Sequence, residues 1–303
     1  LGEYAVGGGN ARNSVMITLG TGVGSGIVIN GANVARRPEL FPFATHHVAA
    51  CDNHIHDCGN FYPAASGFLV GHAWGNLLEH NHIHDLYYSG FSVGWSWGFG
   101  DSSCRENRIG FNHIYNIGRG MLSDMAGIYL LGIQPGTRVY NNHIHHVSGR
   151  VYGGWALYAD EGSSHQIWER NVCYDTKNDA FHQNFGRENT LRDNVFAFCG
   201  ENLVRISNCE ASDHTGYRFP GKNYSCDFVM YRNILIADGR PFFRASYLEN
   251  FDKNELFSDC NLYFDLKLSE KESIVAYKLK RANTALPGAE TVVHEYLEAW
   301  QKR

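Results

Sequence analysis

The tetrapeptide Asn-His-Ile-His stands at residues 53–56, again at 81–84 and again at 142–145, with Asn-His-Ile-Tyr at 112–115. In an extended chain the isoleucine and its two flanking side chains point to opposite faces. Ile55, Ile83, Ile114 and Ile144 would then form one aliphatic column facing a core. The histidines would form an outward ladder, and Cys173 would take the core slot one repeat later as a small buried hydrophobe. Widening the pattern to Asn-x-apolar picks out Asn53, Asn81, Asn112, Asn142, Asn171, Asn194, Asn233 and Asn261, at spacings of 28, 31, 30, 29, 23, 39 and 28 residues. A period that drifts in this way marks a repeat whose loops vary in length.

Between the asparagines lie further short runs rich in β-formers and bounded by Gly, Asn or Ser. They include GFLVG (67–71), GFSVG (90–94), GIYLLG (127–132), WALYAD (155–160), AFHQN (180–184), LVRIS (203–207) and FFRAS (242–246). Two or three short strands per repeat make one coil of a right-handed parallel β-helix. Helical solenoids need a 3.6-residue period that is absent here, and propeller blades need about 40 residues and four strands. The sequence therefore predicts an all-β solenoid of about ten coils over 1–265. The segment 266–303 is expected to cap it, with an amphipathic helix over 291–303 closing the open end against edge pairing. The asparagines are expected at a corner, bonding one another and the turn backbone in a conformation where Asn tolerates left-handed geometry.

Composition narrows the partners. A net charge of −5 argues against nucleic acid. No apolar run is long enough for a membrane helix. The 17 Tyr and 6 Trp suit a protein that stacks on sugar rings, and equally one that is well packed. None of the eight cysteines forms a CxxC pair, so one or two disulfides are possible but no pairing follows. The chain opens LGEYAVGGGN, without Met or signal peptide, and is expected to be a mature or truncated form of a secreted or periplasmic protein. Oligomeric state is not readable. The histidine ladder is expected to be structural, its rings stacked against solvent or loops, with no metal and no cofactor; the rival reading is that a histidine pair at i, i+2 on one strand chelates a metal.

Solenoids carry function on one face. Aligning the second runs by Phe91, Ile128, Leu157, Phe181 and Leu203 places Ser92, Tyr129, Tyr158, His182 and Val204 in one outward column. Gly94, Leu131, Asp160, Asn184 and Ile206 then form the next. Polarity concentrates in the middle coils. There Asp124, Asp160 and Glu161 offer carboxylates from adjacent coils, and Asp179, His182 and Gln183 lie on the following one. Two carboxyls a few ångströms apart can cleave a glycosidic bond, one protonating the leaving oxygen while the other attacks or activates water. Tyr129, Trp155 and Tyr158 would supply an aromatic platform, and His182 and Gln183 would contact hydroxyls. Each residue also has a plain reading: Asp160-Glu161-Gly162 as a turn, Asp124 as a cap, the tyrosines as a structural stack.

The run DMAGIYLLG…YGGWALYADEGSSHQIWERNVCYDTKNDAFHQNFGRENTLRDNVFAF, residues 124–198, resembles the β-helix glycosidases of glycoside hydrolase family 141, and the likeness extends more weakly over about 50–265. The resemblance implies an α-L-fucosidase- or xylanase-type hydrolase of plant or microbial carbohydrate, with paired aspartates at Asp124 and Asp160 and Glu161 as an alternative acid. It also implies that the chain is short at its N-terminus, where family members carry further β-helix and an inserted domain. Two rivals stand beside it. A polysaccharide lyase on the same fold would use Lys177, Arg187 or Arg205 as base and could hold Ca²⁺ on Asp124, Asp160, Glu161 and Asp179. A β-helix that binds carbohydrate without turnover is the other. A polygalacturonase is disfavoured, since no NTD, paired DD or GHG motif occurs.

Overall fold

A computed structural model describes residues 45–207, 228–245 and 256–267, together with the strands Asn13–Leu19, Val23–Ile29, Val275–Leu279 and Thr291–Glu295. The chain winds as a right-handed parallel β-helix. From His54 on, successive strands are dealt in turn to three stacked sheets of nine, seven and eight strands, every neighbouring pair parallel save one; Asn13–Leu19 and Val23–Ile29, within the segment expected to be parallel coils, instead pair antiparallel as a sheet of their own. The eight-stranded sheet begins at His54–His56 and ends at Leu262–Asp265, so the described residues account for eight of the about ten coils that the repeat predicts.

Three columns of inward side chains make the core. Ile55, Ile83, Ile114, Ile144, Cys173, Phe196 and Leu235 stack in register along the eight-stranded sheet. Phe91, Ile128, Leu157, Phe181, Val204 and Phe243 stack along the nine-stranded sheet. Leu78, Ile109, Val139, Trp168, Leu191 and Met230 do so on the third. All are buried. Each large member contributes about 1.5–3 kcal/mol through burial, which is why a three-residue strand suffices on each side of a coil.

The asparagine corner is continuous from Asn53 to Asn261. Each Nδ2 donates to the Oδ1 of the next coil's asparagine at 2.8–3.0 Å. The same Oδ1 also accepts a backbone N–H from the preceding coil. One part of the expectation is corrected. The left-handed residue is the one before each asparagine, as at Asp52, His80, Phe111, Asn141, Arg170, Asp193, Arg232 and Cys260. That residue turns the chain, which frees the asparagine to span coils with its amide.

Replacing Asn142 by Ala should therefore be costly. It removes the acceptor for Asn112 N and Nδ2 and the donor to Ile109 O and Asn171 Oδ1, all buried. A loss of about 3 kcal/mol or more is expected in urea unfolding. Asn116→Ala, at an exposed position, should change stability by less than about 0.5 kcal/mol.

Three further expectations change. Thr291–Glu295 is a strand, antiparallel to Val275–Leu279, where a helix was predicted. Its Thr-Val-Val start favours extended backbone, and pairing with a sheet edge outweighs the helical period. Residues 296–303 lie outside the described residues. Val275–Leu279 still pairs in parallel with Phe243–Ala245, so the nine-stranded sheet continues past residue 265. Cys51, Cys58, Cys104, Cys173, Cys199 and Cys260 are free thiols, whereas Cys209 and Cys226 lie outside the described residues. No helix among the described residues is long and apolar enough to cross a membrane.

Candidate active site

The outward face of the nine-stranded sheet carries a cleft of about 490 Å³ over its middle coils, within the ~300–1,000 Å³ usual for small-molecule sites. Its floor is built by alternation. Met125–Ile133 and Gly154–Ser164 pair so that Tyr129 lies beside Tyr158 and Leu131 beside Asp160. Phe181–Asn184 then sets His182 beside Tyr158.

Beyond Asp160 the register breaks. Ile133 is opposite Ser164, so two extra residues bulge from the longer strand. That bulge turns both Asp160 and Glu161 toward the cleft, which strict alternation forbids. Gly162 sits in it at φ +80°, and a Cβ there would lie 1.9 Å from Gly98 O. Gly98 N in turn donates to Glu161 O at 3.1 Å. The loop after Phe91–Val93 is thereby held against the bulge, and it carries Trp95 and Trp97 to the cleft wall. Their rings meet edge to face at 5.2 Å, and Trp95 is 39% exposed.

Asp160 is only 4% exposed, and donors meet both its oxygens. Tyr158 Oη and Asn184 Nδ2 donate to Oδ1 at 2.7 and 2.8 Å, and Tyr129 Oη donates to Oδ2. Burial and the neighbouring Asp160 charge hold both phenols protonated, far above their usual range. Tyr158 Oη also lies 3.3 Å from Asp124 Oδ1. Since it is 2.7 Å from Asp160 Oδ1, the two carboxylate oxygens are at most about 6 Å apart, the length of those two legs laid end to end.

Asp124 occupies a left-handed position at φ +60° ahead of its strand. Its carboxyl is pushed up to about 6, first by burial and then by Asp160's charge, against a smaller opposing effect from the Tyr158 hydrogen bond. Glu161 is pushed up to about 7, again by burial first and then by Asp160 and Asp124. Its Oε2 is buried without a hydrogen-bond partner. His182 stacks on Tyr158 at 5.0 Å, and Nε2 lies 3.0 Å from Ser207 Oγ. Burial, then the Arg205 and Arg244 charges, hold His182 neutral, and its Nδ1 has no partner. Unmet buried polar atoms in a cleft are what a polar ligand would satisfy.

Seven of the eight residues singled out in the sequence line this cleft: Asp124, Asp160, Glu161, Tyr129, Trp155, Tyr158 and His182. Gln183 does not. It follows His182 on the strand and turns inward, donating to Gly186 O at 3.1 Å and accepting from Asn189 Nδ2 at 2.9 Å. Trp155 lies low in the floor at 2% exposure, with Nε1 donating to Asp179 Oδ2 at 2.9 Å. Asp179 is fully buried and also accepts from Asn202 N and Nδ2, so it braces the floor and does not line it. Lys177 donates to Gly149 O and Arg150 O, away from the cleft. Arg187 lies over the Phe99 ring at 4.7 Å.

The outward columns need a one-residue correction on one strand. Phe181 pairs with Val204, so Arg205 and Ser207 face out and join the cleft, while Val204 and Ile206 face the core. Alternation within Val-Arg-Ile-Ser held that signal. Trp95, Trp97, Tyr88 and Tyr152 also line the cleft and were not singled out; for the first two the sign was a pair of tryptophans bracketed by glycines in a strand-poor loop. Among the described residues, the groups of three side chains close enough to share a metal ion are two histidine trios on the eight-stranded sheet, not cleft residues. No family model, curated protein or solved structure matches the chain.

Proposed function

We propose that this cleft hydrolyses a glycosidic bond of a plant or microbial carbohydrate, chemistry in keeping with the resemblance to family 141. One observation carries the reading. Two carboxyls within about 6 Å share one phenol in an aromatic-walled cleft, and burial raises the pKa of one of them, Asp124. Asp124, with its pKa near 6, holds a proton for the leaving oxygen. Asp160, its oxygens fixed by three donors, attacks the anomeric carbon. Carboxyls of retaining glycosidases stand about 5–5.5 Å apart, and inverting pairs need about 6.5–9.5 Å to admit a water. The spacing favours retention. Glu161, protonated near neutrality, donates to a sugar hydroxyl through its otherwise unmet oxygen. Trp95 offers the exposed ring face for stacking. A polymeric substrate would place the enzyme outside the cytoplasm.

The test is a panel of aryl fucosides and xylosides, xylan and pectic oligosaccharides, with products followed by NMR. Sugar released with its anomeric configuration retained supports the proposal. Arg205 in the cleft is the one observation favouring a lyase, although it also lies 3.7 Å from Glu201. An ultraviolet-absorbing unsaturated uronate would establish that reading, and tight binding without product would indicate a binding module. Full hydrolysis should survive exhaustive EDTA, because protonation and attack by two carboxyls require no divalent cation. Loss on chelation and recovery with Ca²⁺ would point to the lyase.

A further inference from the structure

The histidine ladder offers more than stacking. His54, His82, His113 and His143 form one outward column of the eight-stranded sheet; His84, Tyr115, His145 and Tyr174 stand in the neighbouring column. Diagonal contacts join each member of the first column to the second-column residue one coil on, and these alternate in kind. His54 Nε2 meets His84 Nε2 at 2.7 Å, and His113 Nε2 meets His145 Nε2 at 3.0 Å. Between and beyond them, His82 and His143 place Nε2 against the Tyr115 and Tyr174 hydroxyls at 3.2 and 3.1 Å. Every second coil thus brings two imidazole nitrogens face to face, with a third histidine beside them.

We infer that the chain has two transition-metal sites, His54/His82/His84 and His113/His143/His145, each taking a Zn²⁺-, Ni²⁺- or Cu²⁺-type ion on three imidazoles. Within each trio one ligand nitrogen per residue lies within 4.8 Å of the others. Three nitrogen ligands and an open fourth position suit these ions and not Mg²⁺ or Ca²⁺, which take oxygen.

Both trios have an outer support of the kind that fixes metal-binding histidines. His84 Nδ1 is 2.7 Å from Asp85 Oδ2, so a proton held there leaves Nε2 free to ligate. His145 Nδ1 is 2.6 Å from His146 Nδ1, and His146 Nε2 is 3.1 Å from Asp175 Oδ2. In each case the supporting residue, Asp85 or His146, takes a left-handed backbone that returns its side chain to the ladder.

Binding would rearrange the ladder locally. His54 and His82 stack at 4.8 Å and 8°, and His113 and His143 at 4.7 Å and 3°. Parallel rings cannot both aim at one ion, so each trio must tilt its rings, and the facing nitrogens must part to about 3.3 Å around a ~2.0–2.1 Å Zn–N shell.

Tag-free protein, stripped with EDTA and desalted, should bind two Zn²⁺ per chain by calorimetry and by elemental analysis after dialysis. His84→Ala and His145→Ala should each leave one ion, and the double variant none. Anomalous diffraction at the zinc edge from wild-type crystals should place both ions within the trios, a readout that needs no variant. A wild-type stoichiometry other than two, ions located elsewhere, or two ions retained by the folded double variant would overturn the inference.

Discussion

Asp160→Asn is expected to lower kcat for glycoside hydrolysis by about 10³-fold or more, since it removes the attacking oxygen's charge while keeping its size. The same change tests whether Asp160 only closes a turn. A turn builder would leave turnover intact in whatever fraction folds. Stability is not expected to be indifferent. Asp160 is buried and accepts from Tyr129, Tyr158 and Asn184, so an amide must turn its NH₂ toward at least one donor. That conflict costs about 1–3 kcal/mol, offset in part by relief of the repulsion with Asp124 and Glu161. An outward carboxylate looks free to change when only the strand pattern is read. This one is tied into the floor.

Asp160→Gly gives the sharper version of the experiment. It opens room at the anomeric carbon, and sodium azide can then attack where the carboxylate did, expelling the protonated leaving group and forming a glycosyl azide of inverted configuration. Rescue of an aryl glycoside by azide in the glycine variant, with that product identified by NMR, would fix Asp160 as the nucleophile. Normal hydrolysis by both variants would move the chemistry elsewhere.

What the sequence held and what it withheld divide along physical lines. The asparagine and isoleucine columns were legible because every coil repeats the same contact, so one period fixes eight asparagines at once. The tyrosine and histidine column was legible for the same reason. Gln183 was misplaced against the pattern itself: with His182 and Asn184 outward, alternation sends the residue between them to the opposite face. The slip at Val204 ran against a regular spacing: Val204 follows Asn194 by ten residues just as Phe181 follows Asn171, and the extra length of that 39-residue coil comes only after Ser207. Neither the bulge that turns Glu161 outward nor the Gly98 contact that holds it has a local sequence sign. Both depend on two backbones from different coils meeting. The convergence of the histidine nitrogens likewise depends on ring rotation across coils, which strand periodicity does not encode.

Asp124→Asn and Glu161→Gln should separate the proton donor from the residue beside it. Asp124 sits near 6 in the fold against 3.8 for a free side chain, and Glu161 near 7 against 4.5. Both folded values are raised, so the folded protein holds protons that the unfolded chain has released. The resulting stabilisation is complete below about pH 4 and fades as pH rises through 6 and then 7. Wild type should accordingly lose melting temperature between pH 5 and 8, and each amide variant should lose less over that window, the two differing in where the gain begins. Catalysis should fall over the same pH range. With Asp124 as donor, wild-type kcat/KM falls above about pH 6 as the proton leaves. Asp124→Asn should abolish that limb and lower kcat by about 10²–10⁴-fold on substrates with poor leaving groups. It should lose much less on nitrophenyl glycosides, whose leaving group needs little protonation. Glu161→Gln should keep the limb and chiefly raise KM, because an amide still donates to a hydroxyl. If instead Glu161→Gln shows the leaving-group signature and Asp124→Asn does not, the donor is Glu161 and Asp124 serves to hold Tyr158.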